Sequence, residues 1–193
     1  MYIRGMENAI ENLNRLNSRS VPGAVAMALN RLASSVTAQS ASQVAREVKI
    51  HRKFVRERMK IKKATPKKQS VRIQVNRGDF PVIKLGNARL RLSRRKRRRK
   101  GERSAAKGGG SVLVVGNRRI PSAFIQRLKN GRWHVMQRVE GKNRYPIDVV
   151  KIPMEAPLTS RVQENIARMH RDKLPAELSA ALKQKLRTEL KKR

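Results

Sequence analysis

Residues 71–92 read VRIQVNRGDFPVIKLGNARLRL, and the period of this stretch decides the fold class. Val71, Ile73 and Val75 alternate with Arg72, Gln74 and Asn76, the two-residue repeat of a half-buried strand. Residues 82–85 and 88–92 flank Gly86-Asn87, which predicts a hairpin because Gly suits the first central position of the favoured turns. Downstream, residues 111–115 predict another strand, followed by Gly116-Asn117. Residues 120–128 fit a strand or a short helix. Asn130-Gly131 predicts a second hairpin leading into residues 133–139, and residues 145–152 complete a strand-rich middle.

On either side the period changes to that of a helix. Ile10, Leu13 and Leu16 predict a short amphipathic helix from Glu7, broken by residues 18–20. Pro22 opens a longer one, at a first-turn position where its missing N–H costs nothing. Its apolar stripe is Val25, Leu29, Leu32, Val36, Val44 and Val48, and a basic helical stretch is expected over residues 51–62. After Pro153 and Pro157, Leu158, Val162, Ile166 and Met169 keep helical spacing, with Ser160 and Gln163 placed as a capping box. Pro175 restarts the chain, and Leu178, Leu182, Leu186 and Leu190 form an i, i+4 stripe. The expectation is α+β: N-terminal helices, a central antiparallel sheet with a long basic loop, and C-terminal helices. A single domain over residues 1–193 is expected, helical over 7–62, strand-rich over 70–152 and helical over 158–191.

Charge dominates the composition. Forty-eight Lys and Arg against thirteen Asp and Glu give a formal charge of +35 over 193 residues, while 38% hydrophobic content supports a packed core and so argues against a mere polycation. Such a balance selects polyanionic partners, nucleic acid foremost. No interfacial basic helix, no apolar leader and no run of eighteen apolar residues are present, so no membrane partner is expected. Cysteine is absent, which excludes disulfides and thiolate metal sites.

Half of the cations fall between Lys49 and Lys107, where Glu57, Asp79 and Glu102 are the only acids. At the extreme, Arg94, Arg95, Lys96, Arg97, Arg98, Arg99 and Lys100 run consecutively, preceded by Arg89 and Arg91 and followed by Arg103 and Lys107. Residues 94–110 lie between two predicted strands and carry no apolar pattern, which suggests a basic arm closed by Gly108, Gly109 and Gly110. Guanidinium groups grip phosphate in bidentate fashion, and contacts to the phosphate backbone read no base sequence. The plain alternative is a solvated charge run, as blocks of like charge commonly are.

Catalytic chemistry is missing. His51, His134 and His170 share no metal-ligand spacing, and no phosphate-binding loop ends in Lys-Ser or Lys-Thr. Glu140 and Asp148 could approach across a hairpin, but a nuclease needs several acids to hold Mg²⁺. No enzyme, cofactor or metal is expected. Trp133, the sole tryptophan, reads as a core or interface anchor; single-strand binders present several stacking aromatics.

The block GGGSVLVVGNRRIPSAFIQRLKNGRWHVMQRVEGKNRYPIDVVKIPM (108–154), with SASQVARE (40–47), VNRGDFPVIKLGNARL (75–90) and the basic run after Ser93, resembles the minor tail protein Z, or tail completion protein Z, family of lambda-like siphophages. The resemblance covers essentially the whole chain, with little carried by residues 1–5 or those after Arg187. It implies a non-catalytic virion protein, made in the host cytoplasm, that completes the tail so that it joins a filled head and DNA is positioned for ejection. It further implies tail-terminator and head–tail connector proteins as partners, a homo-oligomeric ring of plausible sixfold symmetry, and non-specific contact with double-stranded genomic DNA. Composition alone also suits a free, sequence-independent nucleic-acid-binding protein of ribosomal or nucleoid type.

Overall fold

The computed structural model describes Ser18 and residues 20–91, 112–138 and 146–191. The chain divides into two compact units, one of Met1–Arg77 with Ala156–Arg193 and the other of Gly78–Glu155. Helices dominate the first and antiparallel strands the second, so the architecture is α+β. The helix expected over residues 7–16 lies outside the described residues.

The first unit is built on α1 (Val21–Val48), a 28-residue helix with Pro22 in its first turn. Ala24, Ala28, Leu32, Val36, Ser40, Val44 and Val48 are buried at strict four-residue spacing. Four residues turn a helix by about 40° more than one revolution, so this buried line winds round the helix and needs different partners at different heights. Helices α3 (Glu155–Asp172) and α4 (Leu174–Leu190) supply them in series. Ala181, with Leu178 and Leu182, covers Ala24 and Ala28; Met169, with Leu174 and Ile73, covers Leu32 and Val36. Further along, Arg161 and Asn165 reach Glu47, Gln43 and Ser40, so α3 runs antiparallel to α1. The break between α3 and α4 falls at Lys173, just before Pro175, which has no N–H to continue the ladder.

The α1–α3 contact carries a satisfied polar cluster. Asn165 is 1% exposed; its Nδ2 donates to Ser40 Oγ at 2.9 Å and Gln43 Oε1 at 2.6 Å. Arg168 Nη2 donates to Asn165 Oδ1 at 2.7 Å and to Gln39 Oε1 at 2.8 Å. At the surface Arg161 donates to Glu47 at 2.9 Å and to Glu164 at 3.1 Å. These bonds hold its guanidinium above the ordinary value, the hydrogen bond to Glu47 contributing most.

Two expectations are corrected here. Residues 51–62 are not one helix: α2 spans only Arg52–Arg56, and Met59–Lys62 is strand β1, paired antiparallel with β2 (Arg72–Val75). Met59 and Ile61 face Val75 and Ile73 across the ladder, and this pairing outweighs the helical preference of the basic residues between them. Ser160 and Gln163 do not cap α3, which begins five residues earlier at Glu155; Ser160 Oγ donates instead to Ala156 O at 2.9 Å. Pro157 sits in the first turn, where it costs no hydrogen bond.

Among the described residues of the second unit the expected central sheet is divided into three antiparallel sheets. Strand β3 (Phe80–Pro81) pairs β10 (Lys151–Ile152); β4 (Ala88–Arg91), β5 (Val112–Val115) and β6 (Arg118–Pro121) form one sheet in that order; β7 (Ala123–Arg127), β8 (Trp133–Arg138) and β9 (Ile147–Val149) form another. Its buried residues include Phe80, Val82, Leu113, Val115, Ile120, Ala123, Val135, Met136, Ile152 and Met154. Residues 120–128 resolve as two strands bent at Ser122, which has φ 57°. The hairpin at Asn130-Gly131 is present, closed by Gly131 N–H to Leu128 O and Leu128 N–H to Arg132 O, both 2.9 Å.

The hairpin expected at Gly86-Asn87 is not formed. Val82–Leu85 is a 3₁₀ turn, with Val82 N–H bonded to Val150 O at 3.1 Å, and β4 pairs with β5 instead. Gly86, at φ 141° and ψ −166°, occupies a region open essentially to glycine alone and redirects the chain rather than reversing it.

Candidate nucleic-acid interface

The β4–β5–β6 sheet has two chemically distinct faces. Its register aligns Leu90 with Leu113 and Ile120, and Arg89 with Val114 and Arg119. Because side chains alternate across a strand, Leu113, Val115 and Ile120 turn inward; they are 1%, 0% and 8% exposed. Arg89, Arg91 and Arg119 share the opposite face and are exposed. With Asn87, Val114, Gly116 and Asn117 they line an open hollow of about 720 Å³.

Strand geometry sets the spacing of these cations. Arg89 and Arg91, two residues apart, have Cα atoms roughly 7 Å from each other; Arg89 and Arg119, one strand apart on either side of β5, lie roughly 10 Å apart. Guanidinium groups on flexible stems at these spacings can meet phosphates along one strand of a duplex or across it. The arrangement can therefore bind a polyanion without reading its sequence. Gly116 shapes the hollow's floor: it turns the chain at φ 56°, and a Cβ there would meet Leu85 O at 3.3 Å.

Of the residues singled out from the sequence, Arg89 and Arg91 are thus brought together, and Arg119 joins them. Sequence reasoning missed Arg119, although Gly116-Asn117 between two alternating runs is a hairpin signal that would have placed it opposite Val114 on β5. Arg94, Arg95, Lys96, Arg97, Arg98, Arg99, Lys100, Arg103 and Lys107 lie outside the described residues. Their point of attachment is described: Arg91 and Val112 are paired across the β4–β5 ladder, so residues 92–111 leave from and return to the edge of the arginine face. An edge strand also uses exposed charge to block pairing with other chains; β4 and β6 are both edges of this sheet, so that role accounts for Arg89, Arg91 and Arg119 on each strand taken singly, while their placement on one face around a shared hollow is what adds a binding capacity.

The remaining candidates have local roles. His51 caps α2, its Nδ1 accepting from Lys53 N–H at 3.2 Å while its ring stands edge-on to Phe54. His134 lies on β8 opposite Gln126, and His170 is exposed on α3. Glu140, the proposed neighbour of Asp148, lies outside the described residues. Trp133 is 57% exposed and is no core residue. Among the described residues no group of three or more His, Asp or Glu could hold a metal ion, and no helix is long and apolar enough to cross a membrane.

Residues 3–192 match the family model for prophage minor tail protein Z (GPZ). The chain belongs to that family. It is 66% identical over 192 residues to the tail completion protein Z of Escherichia phage lambda, covering all of both chains. It is 47% identical over 169 residues to the tail completion protein of Escherichia phage N15, covering 88% of each. The match takes in both chain ends, which the sequence motifs alone had left without support. No solved structure matches the chain. Membership of the minor tail protein Z family makes this a phage tail protein with a tail-completion role.

Proposed function

We infer that this minor tail protein Z relative completes the tail at its junction with the DNA-filled head, as part of the neck through which the genome passes. It contacts the duplex without sequence preference. The observation that carries the reading is the arginine face of β4–β6, with residues 92–111 and their cationic run rooted at its edge. A passage for DNA needs cations that hold phosphate in any register and release it, and side chains without fixed base contacts meet that need. A homo-oligomeric ring, sixfold to match a tail tube, would repeat this face around a lumen. Tail-terminator and connector proteins would be the neighbours along its axis. A freely diffusing ribosomal or nucleoid protein would suit the composition, but not kinship over its full length with tail completion proteins.

The test is a phage carrying Arg94, Arg95, Arg97, Arg98 and Arg99 all changed to Ser. Particles should incorporate the protein normally but lose titre and retain packaged DNA poorly. Unchanged titre and DNA retention would defeat the DNA-facing part of the reading.

A further inference from the structure

A second surface feature of the strand-rich unit is apolar. Trp133 and Ile125 share one face of the β7–β8 ladder, since Trp133 is paired with Arg127 and Ile125 with Val135. They are 57% and 39% exposed. With Ile83, Ala88, Lys84 and Asn87 they line an open hollow of about 590 Å³ that contains the 3₁₀ turn and Gly86. A half-exposed tryptophan over such a hollow is costly in water unless something covers it, and tryptophan is the residue most enriched at binding hot spots.

We propose that this hollow docks a protein partner of the phage particle whose surface presents an apolar side chain ringed by carboxylates. Charge complementarity selects that occupant. Lys84 lines the hollow, and Arg127 lies directly across the ladder from Trp133. The described residues of this unit carry ten cations against Asp79, Asp148 and Glu155. A second copy of so cationic a surface would be repelled, and so would the chain's own residues 92–111, whose charge is almost wholly positive. Duplex DNA offers the charge but no apolar knob for Trp133, and it suits the arginine hollow instead. The two hollows share Asn87, so one partner and the DNA could be held side by side.

The proposal rests on the tail-completion reading, and the experiment separates the two. Full-length protein is titrated onto purified tails assembled without it and recovered by sedimentation. Wild type should bind, Trp133→Ala should bind about 30-fold more weakly, Trp133→Phe should keep most of the affinity, and Lys84→Glu should weaken binding several-fold. Circular dichroism and thermal melting of Trp133→Ala should match wild type, as its exposure implies. Wild type failing to bind tails would overturn both readings. Wild-type affinity in Trp133→Ala would overturn the docking site alone. Loss of duplex DNA binding, or of self-association, in place of tail binding would assign the hollow to DNA or to a second copy and overturn the protein partner.

Discussion

Lys49 ends α1 in the left-handed region, at φ 55° and ψ 50°, while Ile50 N–H closes the helix on Ala45 O at 3.0 Å. That conformation costs a side-chain-bearing residue about 1 kcal/mol and suits glycine at no cost. Lys49→Gly should therefore raise stability by roughly 0.5–1 kcal/mol, measured by urea denaturation. Gly116 is the opposite case. Its positive φ strains any side chain, and a Cβ would lie a tight 3.3 Å from Leu85 O, so Gly116→Val should destabilise by about 1–3 kcal/mol and loosen the turn that holds Arg119 opposite Val114. At this scale pH has little leverage through Arg161. Its pKa is raised on folding, so the stability it adds is complete below the ordinary arginine range and lost only as pH rises beyond it.

Between elements, the α1–α3 contact depends on Asn165. Asn165→Ala would leave Ser40 and Gln43 without the Asn165 donor and Arg168 with Gln39 as its remaining acceptor in this cluster, at a cost of about 1–3 kcal/mol in denaturant unfolding. The arginine face makes a different kind of prediction. Changing Arg89, Arg91 and Arg119 together to Ser should weaken duplex DNA binding equally for unrelated sequences and flatten the log–log salt dependence by about 2–3, read from binding titrations at several salt concentrations. Elements were legible where local pattern and tertiary partner agree. The strand at Ile73 and Val75, the turn at Asn130-Gly131 and the long helix after Pro22 all combine a clear period with a matching turn or cap. Residues 59–62 and Gly86-Asn87 were not, because their fate is set by the strands they join rather than by their own pattern, Arg72–Val75 for the first and the distant Val112–Val115 for the second. The same limit hid Arg119: its place beside Arg89 exists only once β5 lies between them.

For the whole molecule, a charge of +35 on 193 residues makes self-repulsion a standing cost that a polyanion removes. Short duplex DNA should raise the melting temperature by an amount that grows with its concentration and shrinks as salt is added, since a ligand bound only by the native state stabilises it by mass action. Kinship with tail completion proteins puts the protein in an assembly with other phage proteins rather than alone, and the DNA contact proposed above would account for why such charge is tolerated. On the proposed reading, the arginine hollow of β4–β6 faces the genome. A photo-crosslinking side chain placed at Asn117, exposed on the rim of that hollow, tests it in intact, DNA-filled particles. Illumination should join the protein to genomic DNA with no sequence preference; crosslinks to neighbouring proteins alone would contradict it.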